Sequence, residues 1–225
     1  MSGVRGEDQE ARERSPETKP LLPAPCRLII LIGLPGSGKS TLVRYLVEHQ
    51  GCRFVSTDAI RARLFGDEAT QGPWLPIWRA VEQSFRESTA ADRLAVRTRS
   101  ASAGLAPLLP GDTLYDATNA VRRQRREVIR LGRACGFQHI SGLWLDVPLA
   151  VCLERNAQRD RQVPNAIIER MHRRLIGAPP SLSDGFDTLI HLPPNFSPDP
   201  TTWDSVWFGK PHPQFLRSFG RVGLG

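Results

Sequence analysis

The sequence predicts an α/β fold of three layers, helices on both faces of a mostly parallel five-stranded sheet. Three observations predict it. Leu28-Ile29-Ile30-Leu31-Ile32 is an unbroken apolar run, and a strand that is apolar on both faces belongs inside a parallel sheet covered on both sides. The run passes directly into a glycine-rich turn and then into Thr41–Gln50, where Leu42, Val43, Leu46 and Val47 recur at helical spacing. The same alternation of short apolar run and amphipathic helix continues along the chain, which calls for right-handed βαβ units.

Gly51 closes the first helix. Phe54-Val55-Ser56 is the second strand, and a helix opens near Asp58 and runs through Leu64 before Gly66 and Gly72-Pro73 break the pattern. A long helix is expected from Pro76 to Arg99, followed by a Pro- and Gly-containing loop over Ala103–Gly111. Thr113–Asp116 reads as the third strand and Val121–Cys135 as a basic amphipathic helix ended by Gly136. Ile140–Leu145 is the fourth strand. Pro148–Gln158 follows as a helix with proline in its first turn. Val163–Leu175 adds another helix, and Thr188–Leu192 is the candidate fifth strand. Residues 1–25 carry four prolines and many charges without apolar periodicity and are expected to be a disordered tail. The expected domain covers 26–192, and 193–225 form a tail rich in proline and aromatic residues.

The 225 residues suit one domain with a buried core. No apolar run approaches the ~18–20 residues needed to cross a bilayer, so no membrane partner is expected. The acidic N-terminus, with Glu7, Asp8, Glu10 and Glu13, does not resemble a secretory signal or a transit peptide. The four cysteines form no C-x-x-C pair, and the histidines lack metal-ligand spacing. A cytoplasmic location with free thiols is the expectation. The net charge of +7 favours an anionic partner, for which ATP alone would suffice. Much of that charge lies in Arg122–Arg133 and Arg155–Arg174. Such runs are ordinarily solvated helix faces.

The turn after the first strand is Gly33-Leu34-Pro35-Gly36-Ser37-Gly38-Lys39-Ser40, the G-x-x-x-x-G-K-S pattern of a Walker A phosphate loop, followed by Thr41. Its glycines allow backbone angles at which successive N–H groups converge on phosphate oxygens, and the next helix adds its positive end. Lys39 brings a charge to the β- and γ-phosphates, and the Ser40 hydroxyl is placed to ligate Mg²⁺. Asp116, at the end of a neighbouring strand, can hold the hydration shell of that ion, or it can cap the next helix. No Glu follows Asp116, which favours transfer to an acceptor over hydrolysis.

Further motifs follow in order: Ser56-Thr57-Asp58 with Arg61, Asp116-Ala117-Thr118-Asn119, Arg155-Asn156 with Arg159, Arg161 and Val163-Pro164, then Gly185-Phe186-Asp187. Together with Gly33–Thr41 they resemble the polynucleotide-kinase-like, AAA_33-type branch of the P-loop kinases, including the 5′-kinase domain of phage-type polynucleotide kinase. The resemblance runs from about Arg27 to Ile190. It implies the P-loop NTPase kinase fold with a small helical lid, ATP and Mg²⁺, and transfer of the γ-phosphate to a hydroxyl. It also implies that Asp58 is the general base, where a helix N-cap is its ordinary alternative. Arg61 would contact a phosphate of the acceptor, where a surface ion pair is the alternative. Arg155, Arg159 and Arg161 would belong to the lid and neutralise charge on the transferring phosphoryl group, with Arg155 and Arg159 on one helix face; an exposed basic helix is the alternative.

The chain departs from the phage-type enzyme in lacking a D-x-D-x-T/V phosphatase signature after the last strand, so 3′-phosphatase activity is not expected. The segment Thr89–Pro110 fits no family motif. The basic helix Val121–Cys135 could guide a nucleic-acid strand but carries no aromatic residue on which bases could stack. A polynucleotide 5′-hydroxyl is the favoured acceptor. A small-molecule alcohol comes next, and an ATP-binding switch with little catalysis is the reading of a different class. A ring-forming motor would need a second helical domain, for which the chain has little room.

Overall fold

The computed structural model describes residues 26–67, 70, 72–95 and 111–192. Along the chain come β1 (Arg27–Ile32), α1 (Lys39–Gln50), β2 (Arg53–Ser56), α2 (Thr57–Phe65), α3 (Trp74–Ala95) and β3 (Thr113–Asp116). Then follow α4 (Arg122–Cys135), β4 (His139–Leu145), α5 (Leu149–Ala157), α6 (Asn165–Gly177), a 3-10 turn (Leu182–Asp184) and β5 (Thr188–Leu192). The five strands lie in the order β2-β3-β1-β4-β5, and every neighbouring pair is parallel. The expected tails, 1–25 and 193–225, lie outside the described residues, as do residues 96–99 of the expected long helix and all of the Ala103–Gly111 loop but Gly111.

β1 explains the layering. Its alternate side chains serve two different cores, as the period of two in a strand demands. Leu28, Ile30 and Ile32 pack with Val81 and Phe85 of α3, Val128 and Ile129 of α4, and Ile168 and Leu175 of α6. Ile29 and Leu31 pack on the opposite face with Leu42, Val43 and Leu46 of α1. Each buried apolar side chain of this size contributes about 1.5–3 kcal/mol. The strand order also sets where a ligand can enter. From β1 the chain crosses to one side, toward β2, and from β3 it crosses to the other, toward β4. The carboxyl ends of β1 and β3 therefore flank the crevice where the winding reverses.

Several boundaries differ from the sequence expectation for local reasons. Pro148 is the N-cap of α5 rather than a residue of its first turn, and α5 ends at Ala157. α6 starts at Asn165 because Val163 is held out of the helix. The Asn156 amide donates to the Val163 carbonyl at 2.8 Å and accepts from its N–H at 3.0 Å. The helix expected from Asp58 begins at Thr57.

The arginine run of α4 is an exposed face, as expected, except at Arg125. Arg125 is buried and donates Nε to Asp184 Oδ2 at 2.7 Å and Nη2 to the Ala178 carbonyl at 2.7 Å. Arg122 donates to the other Asp184 oxygen at 2.7 Å, and Arg126 to the Ser183 carbonyl at 3.2 Å. Arg133 pairs with Asp187, which also accepts the Ile140 N–H at 2.6 Å. These contacts tie the segment after α6 against α4 and lead it into β5.

Candidate active site

The glycine-rich loop lies between β1 and α1, at the crevice. Gly36 and Gly38 have φ of 82° and 94°, angles that side-chain-bearing residues avoid. Gly36 is also pressed against α5: a Cβ there would stand 2.3 Å from the Cys152 carbonyl oxygen. Gly38 is the N-cap of α1 and offers no side-chain acceptor, while a Cβ there would meet nothing within 4 Å. The first N–H groups of α1 have no side-chain cap and lie at the positive end of the helix. This is a cradle for an anion such as a phosphate chain.

Lys39 turns back onto its own loop. Its Nζ donates to the carbonyls of Gly33 at 2.8 Å and Leu34 at 2.7 Å, and approaches Ser37 Oγ at 3.4 Å. Leu34, Pro35, Ser37 and Lys39 are buried, whereas Ser40 and Thr41 are exposed at the start of α1. Burial pushes the Lys39 ammonium below its ordinary value, opposed chiefly by the charge of Asp116. Asp116 is the mirror case. Burial raises its carboxyl, Lys39 opposes the rise, Asp58 adds to it and Arg159 lowers it. Lys39, Asp116, Asp58 and Arg159 thus act within one electrostatic field, although 120 residues separate Lys39 from Arg159 in the chain.

The parallel register places the acidic groups. Ser56 pairs with Asp116 across β2 and β3, so Asp58 lies just past one strand end and Asp116 at the next. Ser56 caps α2, its Oγ accepting from the N–H groups of Asp58 at 3.2 Å and Ala59 at 3.3 Å. The Asp58 carboxylate is therefore not used as the cap and remains 56% exposed. Asp116 does not cap a helix either, since the N-cap of α4 is Val121. Arg61 donates Nη1 to Asp58 Oδ1 at 2.5 Å. Its Nε is buried without a hydrogen-bond partner.

The three arginines expected to form a lid are dispersed. Arg155 lies in the last turn of α5. Arg159 stands beyond the end of that helix, its N–H bonded to the Asn156 carbonyl at 3.3 Å, and Arg161 lies in the connection to α6. The expectation that Arg155 and Arg159 share a helix face does not hold, because the helix ends between them.

Asn119 carries more of the site than the sequence showed. It is buried at φ 49°, the one positive φ outside glycine among the described residues. Its Nδ2 donates to the Leu31 carbonyl at 2.6 Å, and the neighbouring Thr118 carbonyl accepts the Gly33 N–H at 3.1 Å. These bonds clamp the segment after β3 onto the root of the glycine-rich loop. The signal was the residue type: after glycine, Asn and Asp best tolerate left-handed backbone.

A profile of the AAA_33 family, described as an AAA domain, matches residues 28–178. An L-seryl-tRNA(Sec) kinase from Methanococcus maripaludis is 24% identical over 149 residues, covering 65% of this chain and 51% of the relative. The chain thus spans about half the length of that curated protein. A chain in the structure of the Pnkp1/Rnl/Hen1 RNA repair complex superposes with TM-score 0.51 at 23% identity, over 72% of this chain and 47% of that one. Shikimate kinase from Bacteroides thetaiotaomicron superposes with TM-score 0.50 at 14% identity, over 88% of this chain and 100% of that one. At these identities the two structures speak for the fold. The family profile spans well over half of the chain and includes the loop, both acidic strand ends and the segment joining α5 to α6: the chain belongs to the AAA_33 family of P-loop kinases.

Proposed function

We propose that this protein is an ATP-dependent kinase that transfers the γ-phosphate to a hydroxyl borne on a polynucleotide, most directly a 5′-hydroxyl. The observation that carries this reading is the Asp58 carboxylate, exposed past the end of β2 and freed from capping duty by Ser56. In this reading Asp58 takes the proton of the acceptor hydroxyl, whose oxygen attacks the γ-phosphorus in line as the bond to ADP breaks. Lys39 exchanges its loop carbonyls for β- and γ-phosphate oxygens. The backbone N–H groups of Gly36, Gly38, Lys39, Ser40 and Thr41 hold the phosphate chain, and Arg155 and Arg159 neutralise charge as the phosphoryl group moves.

Ser40 and Asp116, the latter through water, offer the hard oxygen donors that suit Mg²⁺. Among the described residues no cluster of three or more acidic, His or Cys side chains could hold a metal by itself. The cation would therefore depend on the ATP phosphates for its remaining ligands, and it would supply charge neutralisation there. RNA is the first acceptor to try, since the seryl-tRNA kinase and the RNA repair complex both concern RNA.

A small-molecule alcohol is the second reading. It is favoured by Arg61, whose charge is already met by Asp58 rather than held open for an acceptor phosphate. The test is label transfer from γ-³²P-ATP with Mg²⁺ to 5′-hydroxyl RNA and DNA oligonucleotides, with Asp58→Ala as control. Label on the oligonucleotide that disappears in the variant supports the first reading. An unlabelled oligonucleotide beside a labelled small alcohol moves the assignment to the second.

A further inference from the structure

A cleft of about 650 Å³ opens between the first turn of α4 and the last turn of α6. Arg122, Arg123, Gln124, Glu127, Arg174 and Gly177 line it. We propose that this cleft is a docking site for the sugar-phosphate backbone of an RNA strand whose end is presented to the crevice; the proposal rests on the polynucleotide-kinase reading above.

The charge balance of the lining carries the inference. Asp184 is fully buried and shared by Arg122 and Arg125, so two guanidiniums meet one carboxylate. Arg122 remains 43% exposed above that pair. Arg123 bonds Glu127 at 2.8 Å, but its side chain is 86% exposed. Such an exposed pair contributes little to stability, so a phosphate can displace it. Arg174 is exposed and makes no ion pair among the described residues. An anion entering the cleft thus meets three guanidiniums and a single exposed carboxylate. Guanidiniums bind phosphate oxygens in pairs. The first turn of α4 adds to the field, since it holds no acidic residue and Val121 supplies no side-chain cap.

Location makes the acceptor strand the occupant. Val121 follows Asp116 by five residues, a separation that extended chain can span by at most about 17 Å. The cleft therefore belongs to the same end of the sheet as the crevice. Asp116, at the end of the strand paired with that of Ser56, thus lies within a few nucleotides of the cleft mouth, so a strand with its terminal hydroxyl at the crevice can lay following phosphates into the cleft. Backbone contacts of this kind fix position without reading sequence.

The experiment measures binding without ATP, by fluorescence anisotropy of a labelled 5′-hydroxyl RNA 20-mer over a series of salt concentrations. Wild type is compared with the double variant Arg123→Glu/Arg174→Glu, whose folding is checked by thermal melting. The expected result is at least tenfold weaker binding by the variant. Each single-stranded phosphate contact contributes about 0.7 to the salt slope, so loss of two lowers it by about 1.4. Because no ATP is present, the binding result stands whether or not the catalytic reading fails in the label-transfer test. Equal affinity of wild type and double variant overturns the proposal. Tighter binding of DNA of the same sequence overturns the choice of RNA.

Discussion

Asp58 and Arg61 stand one turn apart on α2 and hold each other, Arg61 Nη1 lying 2.5 Å from Asp58 Oδ1. The pair is unequal, since the Arg61 side chain is only 14% exposed and the Asp58 side chain 56%. The arginine is set in the protein, and the carboxylate projects from it toward solvent. This arrangement suits a base that is oriented by its neighbour while one face stays open to an acceptor hydroxyl. Asp58→Ala is expected to lower phosphoryl transfer by about 10²–10⁴-fold, the usual contribution of a positioned base, with ATP affinity unchanged. Equal turnover in the two proteins removes Asp58 from the mechanism.

Lys39 gives the second prediction. In this structure its ammonium is held by the loop carbonyls of Gly33 and Leu34, each within 2.8 Å. Lys39→Ala removes the group that would meet the β- and γ-phosphates. Transfer is expected to fall by about 10²–10³-fold, comparable with the loss of one preorganised electrostatic donor. Circular dichroism should stay that of wild type, because the sheet and α1 core do not involve Nζ. Unchanged single-turnover transfer in this variant refutes the assignment.

Gly36 tests the packing of the loop on α5. An added methyl group would stand 2.3 Å from the Cys152 carbonyl, and the residue's positive φ adds strain for any L side chain. Gly36→Ala should therefore weaken ATP binding and lower the melting temperature. Gly38→Ala meets no atom within 4 Å and bears only the strain of its φ. The smaller stability loss is expected there, and the reverse order in thermal melts would contradict the packing described.

The buried pair of Arg125 and Asp184 is the fourth test. Arg125→Ala leaves the Asp184 charge in the interior, with only the half-exposed Arg122 to meet it. Breaking such a pair costs about 3–5 kcal/mol. Urea denaturation should show that loss, while Arg130→Ala, on the exposed side of α4, should change stability by no more than about 0.5 kcal/mol. Similar midpoints for the two variants would show that α4 is not anchored through Asp184.

The pH dependence follows from Asp116, whose carboxyl is raised by burial above 3.8 with Lys39 opposing. A carboxyl raised by folding binds its proton more tightly in the folded chain than in the unfolded one. Its ionisation therefore costs stability above the raised value, and the cost fades as the pH falls through that value toward 3.8. Asp116→Asn mimics the protonated form. Its melting temperature should exceed that of wild type at pH 7 and approach it near pH 4. A difference that stays constant over this range contradicts the shift.

The sequence by itself determined the order and type of the elements and the place of the glycine-rich loop between β1 and α1. Those features are local. The apolar run of β1, the helical spacing in α1 and the glycines from Gly33 to Gly38 are set by nearest neighbours and by backbone sterics. The motif order also brought Asp58, Asp116 and the lid arginines to notice. Tertiary structure decided what these residues touch. Arg125 and Asp184 are 59 positions apart, Asn119 and Leu31 are 88, and no local pattern marks either pair. The same spacing of arginines in α4 reads as a solvated face from sequence. That face is exposed in the fold, but Arg125 within it becomes a buried anchor because the segment after α6 returns alongside the helix with Asp184. In each case a contact made across the fold outweighed the local preference, since burying a charge or an amide without a partner costs more than any single residue's propensity.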